Sequence, residues 1–214
     1  MSELLSAFLG ALVGGFFSLC AARHSYRLAA EEKALSEATL LRDTAKLVIA
    51  EITTAFEIYM AEYGSELLEH PPGAPYVSIL PIGANPFPVY DSAPACLSRL
   101  DPDLAASLVR LYLRAKGLIR MIELNNRDAE RARDYGEEKL RHYAHAIATP
   151  PDEAATQQLQ ELFDTEVLNN AEILGMGSTA DGMRGVTSEI QLLLASVQSR
   201  VAALAEPTAK RANR

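Results

Sequence analysis

From Leu4 to Ala22 the chain reads LLSAFLGALVGGFFSLCAA without a charged residue, and that run constrains everything after it. At about 1.5 Å of rise per residue, a helix of this length just crosses a hydrocarbon core of about 30 Å. A cleaved signal peptide is the rival reading, since Cys20 and Ala22 are small enough for a cleavage site. Against it, the leading Met-Ser-Glu has no Lys or Arg, and the apolar run exceeds the usual signal core. A lipoprotein signal fits worse, because Leu19 occupies the small-residue position before Cys20. The expectation is a retained single-pass anchor over residues 1–22.

The flanking charges give that anchor a direction. Only Glu3 precedes it, whereas Arg23, Arg27, Lys33 and Arg42 follow. The positive-inside rule then places the N-terminus outside and the C-terminal domain in the cytoplasm. Within the span, Ser6, Gly10, Gly14, Ser18 and Ala22 recur every four residues and form one stripe of small side chains. Such stripes let two helix backbones approach closely, so this one is a candidate packing face toward a second copy or another protein.

Beyond the anchor, the apolar fraction of 49% and charged fraction of 22% are ordinary for a folded domain. Basic residues number 20 and acidic residues 28, for a net charge of -8. That balance argues against nucleic acid as the main partner, which needs a concentrated basic face. The two cysteines, Cys20 and Cys96, form no CxxC pair and read neither as a disulfide nor as part of a zinc set.

Helical periodicity runs through most of residues 23–205. Ala38, Leu41, Ala45, Val48, Ile52, Ala55 and Tyr59 follow three- and four-residue steps, the seam of a bundle or coiled coil. His70-Pro71-Pro72-Gly73 stops this helix near Glu69. Asp101-Pro102 starts the next, with Asp as N-cap and Pro at the first helical position. Its seam is strong to Ile122 and thin through the charged stretch RDAERARDYGEEK, and Thr149-Pro150-Pro151 ends it. A third helix carries Leu159, Leu162, Phe163, Val167, Ile173 and Leu174. Gly175, Gly177, Gly182 and Gly185 then interrupt the pattern, as a turn or as a kink. A last seam holds Met183, Val186, Ile190, Leu193, Val197, Val201 and Leu204, with Ser178 as candidate N-cap. The fold class expected is all-α: a transmembrane helix continuing into an antiparallel three- or four-helix bundle. Residues 206–214 read as a disordered tail.

The irregular part, residues 70–101, is Pro-rich yet carries Tyr76, Val77, Ile79, Leu80, Ile82, Phe87, Val89 and Tyr90. A disordered linker lacks such residues, so this loop is expected to fold against the helix tips. A short strand pair around Tyr76–Ile82 and Phe87–Tyr90 is one form it can take. Its plainer role is a cap on the bundle. The other is a partner surface, for which Tyr76, Phe87, Val89 and Tyr90 are the candidates.

Chemistry-bearing constellations are sparse. Leu124-Asn125-Asn126 and Leu168-Asn169-Asn170 sit at similar distances either side of Pro150. In a hairpin folded there, Asn125 or Asn126 would hydrogen-bond Asn169 or Asn170 in a buried polar layer that fixes register. The competing reading is exposed helix asparagine. Glu138, His142 and His145 share a helical face, but the helix expected opposite offers Gln157, Gln158 and Glu161 rather than a matching ligand set. No metal is assigned. No GxSxG elbow is present, and GMGSTADGMRG lacks the Lys-Ser/Thr of a phosphate loop. No catalytic residue and no cofactor are assigned, and an enzyme is not expected.

The segment FPVYDSAPACLSRLDPDLAASLVRLY resembles a stretch seen in bacterial membrane-anchored helical proteins of unassigned function. There an aromatic-Pro-Val-Tyr box precedes a Leu-x-x-Leu-x-Pro-x-Leu helix start, matched here by Phe87, Pro88, Val89, Tyr90, Leu97, Leu100, Pro102 and Leu104. The resemblance implies a bacterial inner-membrane setting and supplies no catalytic residues. The function expected is that of an interaction, scaffold or accessory protein, with a protein partner or homo-oligomer as its associate. The alternative is a sensor or effector that binds a small ligand through residues 70–100.

Overall fold

The computed structural model describes residues 2–83, 87–93, 97–144 and 153–204, apart from the side chains of 2–14 and 144. Among them the chain is helix and irregular turn, with no strand. Helix α1 runs Ser2–Tyr59 and continues through a π-helical turn, Met60–Gly64, into α2, Ser65–Glu69. Ser65 closes the wide turn by donating both its backbone N–H and its Oγ to the Met60 carbonyl. Gly64 leaves room inside it for two side chains, since a Cβ there would lie 2.6 Å from the Met60 sulfur and 2.8 Å from the Tyr59 ring. His70 turns to an extended conformation and ends the rod where the prolines begin.

A short helix α3, Pro88–Ser92, lies in the connection. Helix α4 follows as Pro102–Ala144, 43 residues long, then α5, Glu153–Ile173, and α6, Met176–Leu204. The start of α4 is as expected: Asp101 Oδ1 accepts from the backbone N–H of Asp103 and of Leu104, each at 3.2 Å. The glycine-rich stretch is a turn rather than a kink. Gly175 takes φ 75° between α5 and α6, a conformation costly to residues with a Cβ, and Ser178 lies inside α6 rather than capping it. The other three glycines are helical. Gly177 lets the Pro-Pro-Gly turn seat on α6, since a Cβ there would fall 2.0 Å from the Gly73 carbonyl oxygen.

Helix α4 is the spine, packed along both α5 and α6. The main core joins Ala45, Val48 and Ile52 of α1 to Leu104, Leu108, Leu111 and Leu118 of α4, and to Met183, Ile190 and Val197 of α6. A second, smaller core of Ala129, Ala132, Val167, Ala171 and Met176 joins α4 to α5. The residues that made the α4 seam look thin are small because the helices approach closely: a Cβ on Gly136 would lie 2.6 Å from Val167 Cγ2.

Two expectations change. The strand pair is absent among the described residues: Phe87–Tyr90 opens a helix with Pro88 at its start, and residues 74–83 are irregular and unpaired with another strand. The bundle also begins later than residue 23. Every side chain from Gly15 to Leu40 is exposed, and the ion pair of Glu37 with Arg99, at 3.1 Å, marks where α1 meets the rest. Among the described residues no helix is long and apolar enough to cross a membrane. The expected span, Leu4–Ala22, lies mostly where side chains are not described, and the tail 206–214 lies outside the described residues.

Candidate functional site

The loop between α2 and α4 is tied down by polar side chains projecting from the helices on either side. Asn126 of α4 accepts from the Leu80 N–H at 2.9 Å and donates to the Leu80 carbonyl at 2.6 Å. One turn of the same helix supplies Asn125, fully buried, whose Nδ2 donates to the Ser78 carbonyl at 3.0 Å. The two amides do for this segment what a neighbouring strand would do. On the opposite side, Glu51 of α1 caps α3: Oε1 accepts from the Val89 N–H at 2.7 Å and Oε2 from the Tyr90 N–H at 3.0 Å. A carboxylate at a helix N-terminus satisfies donors that the helix itself leaves open.

The aromatic residues of the loop point inward. Tyr76 is buried with its ring edge-on to His70 at 5.3 Å, and burial raises the tyrosine pKa. Phe87 is buried against Tyr112, ring centres 5.8 Å apart. Tyr90 stacks on Tyr112 at 3.7 Å, and Val89 is half-buried. The Tyr112 hydroxyl donates to Asp91, which holds that carboxyl below its ordinary range, and Lys116 lies over the Tyr112 ring at 4.7 Å. Of the proposed partner surface, then, Tyr76 and Phe87 are core, while Val89 and Tyr90 are half-covered. They fasten the loop instead of presenting it.

The asparagines do not meet as a layer. Gly136 faces Phe163 and Val167, which sets Asn169 and Asn170 beside α4 residues well past Asn126. Asn169 is exposed and Asn170 half-buried. The connection at Pro150, on which the expected alignment rested, lies outside the described residues. Of the small-residue stripe, Ser6, Gly10 and Gly14 fall where side chains are not described, and Ser18 and Ala22 are exposed. His142 is exposed and His145 is outside the described residues.

What the sequence does not announce is a cleft of about 280 Å³ between the loop and the helices. Ile52, Phe56 and Tyr59 of α1, Leu80 to Gly83 of the loop, and Leu118, Ile119 and Ile122 of α4 form its walls. Its size sits near the lower edge of small-molecule pockets, about 300 Å³ and upward. The π-turn contributes Tyr63 and Glu62, the one charged lining residue among those described. Such turns inside α-helices recur at functional sites. At the back, Thr187 donates to the Met183 carbonyl at 2.8 Å, so the Tyr59 hydroxyl, 2.9 Å from Thr187, is the donor of that pair. Burial raises the Tyr59 pKa and keeps the phenol neutral. No single segment encodes this site; it exists only where separate segments meet.

Comparison with protein-family models, with curated proteins and with solved structures finds no match to the chain.

Proposed function

We propose that this chain is a membrane-tethered interaction protein, with α1 as anchor and stalk and the bundle as a cytoplasmic scaffold or accessory subunit. The observation that supports this is the bare stretch of α1 from Gly15 to Leu40. Phe16, Phe17 and Leu19 are 66%, 67% and 72% exposed, and they continue the charge-free run that begins at Leu4. Large apolar side chains in such a row cost free energy in water, roughly 1.5–3 kcal/mol each against full burial. A bilayer covers them. The exposed, mixed-charge stretch from Arg23 to Leu40 then acts as a spacer of roughly 25 Å at about 1.5 Å per residue.

The test is alkaline carbonate extraction of membranes, with protease treatment of spheroplasts carrying a C-terminal tag. Retention in the pellet with a protected tag is expected. Release by carbonate would sink the anchor, and digestion of the tag would reverse the orientation. Crosslinking in intact cells, then capture, identifies the associate: a protein recovered in near-equal amount, or a second copy.

A second reading, a sensor or effector that responds to a small ligand, is favoured by the cleft beside residues 80–83. It is compatible with the tether and adds an input to it.

A further inference from the structure

We infer that the cleft takes a small apolar molecule bearing one positive charge, an amphiphilic cation, with its chain on the aliphatic wall and its charged end toward Glu62. This rests on the second reading above and specifies the chemistry of the ligand. The inner walls are hydrocarbon: Ile52, Leu80, Ile82, Leu118, Ile119 and Ile122. A polar or multiply charged molecule finds nothing there to replace its water. The rim differs in kind. Glu62 is exposed and, among the described residues, is the one charged lining residue, while no described Lys, Arg or His lines the cleft to receive an anion. Tyr63, next to Glu62 in the π-turn, adds an aromatic ring to the lining, and ring faces attract cations within about 6 Å. The chain's net charge of -8 works in the same direction at longer range.

Size and sign therefore point together. About 280 Å³ holds a short alkyl chain rather than a full lipid, so one end of the ligand must stay at the rim. At that rim a carboxylate opposes an anionic head, leaves a neutral one indifferent and holds a cationic one.

The experiment uses the full chain in zwitterionic lipid nanodiscs, with isoleucine methyl groups labelled for NMR and empty discs as the partition control. Three probes share an eight-carbon chain: octylammonium, 1-octanol and octanoate. Octylammonium is expected to shift the Ile52, Ile119 and Ile122 methyls and to leave Ile173, exposed in α5 and not part of the lining, unmoved. Its affinity should exceed that of octanol by roughly three- to fivefold, the worth of one exposed charge pair. Glu62→Gln should erase that margin without changing octanol binding, and Glu66→Gln, whose side chain does not line the cleft, should preserve it. If octanol or octanoate binds as well as octylammonium, or if the margin survives Glu62→Gln, the assigned charge is wrong while the cleft reading stands. If none of the three moves the cleft methyls, the ligand reading falls with it.

Discussion

The side-chain amide of Asn126 pairs with both backbone polar groups of Leu80, accepting from its N–H and donating to its carbonyl. One helix side chain thereby takes the place of a strand. Substituting it removes both bonds and leaves two part-buried backbone groups unmet, at about 1–3 kcal/mol for the pair together. Asn126→Leu should lower unfolding free energy by about 2 kcal/mol in urea titration. Asn125→Leu should cost less, about 1 kcal/mol, because Asn125 Oδ1 is buried with no partner among the described residues and its removal offsets the lost bond to Ser78. Asn169→Leu, on an exposed face, should stay within about 0.5 kcal/mol of wild type. A large effect at Asn169 would revive the buried layer.

Glu51 is the hinge between α1 and α3. Its carboxylate meets two N–H groups at once, so Glu51→Ala should cost about 1–2 kcal/mol, in the range of a strong helix cap. Hydrogen exchange locates the loss: the Val89 and Tyr90 amides should lose protection first. Unchanged exchange at both would show that the cap contributes nothing in solution.

Two glycines of α6 should respond in opposite directions. Gly177→Ala drives a Cβ into the Gly73 backbone, which cannot yield as a flexible side chain would, and should destabilise by about 1–3 kcal/mol. Gly185→Ala meets nothing within 4 Å and should stabilise by about 0.5–1 kcal/mol through helix propensity alone. Thermal melts of the two variants side by side test both signs.

Acid should loosen the loop through Asp91. Its carboxyl is held below the ordinary 3.8, first by the Tyr112 hydroxyl and then by Lys116. A depressed folded value means the stabilisation is complete above the unfolded pKa and disappears as pH falls through the lowered one. The melting temperature should therefore drop below about pH 4, and less steeply in Tyr112→Phe than in wild type. Parallel acid slopes in the two proteins would remove Asp91 from the account.

Long-range periodicity made much of the helical framework legible. Met183, Ile190, Val197 and Val201 recur on one face and are buried there, and Asp101 caps where an Asp-Pro pair says it should. The phase was less secure: Thr187 and Leu194 are buried where Val186 and Leu193 were expected, because a seam read by hydrophobicity passes over a threonine that finds its own partners. Small residues misled in the other direction. Ala129, Ala132 and Gly136 read as a weakened seam, yet they mark where α5 comes nearest. The loop was rightly expected to fold onto the helices. Its aromatic residues could not declare whether they faced in or out, since an inward anchor and an outward contact have the same composition. The cleft had no signal of its own, because its walls are ordinary core residues until the backbone leaves space between them.

The π-turn at Met60–Gly64 acts as a phase shifter. A wide turn holds one residue more than an α-turn, so everything beyond Gly64 is rotated by about 100° from where an uninterrupted α-helix would have carried it. The buried side of Leu67 and the bearing of the Pro-Pro-Gly turn toward Gly177 both inherit that rotation. The angular setting of this end of the bundle is thus stored in a single extra residue. Neither the seam behind it nor the turn ahead of it records the angle.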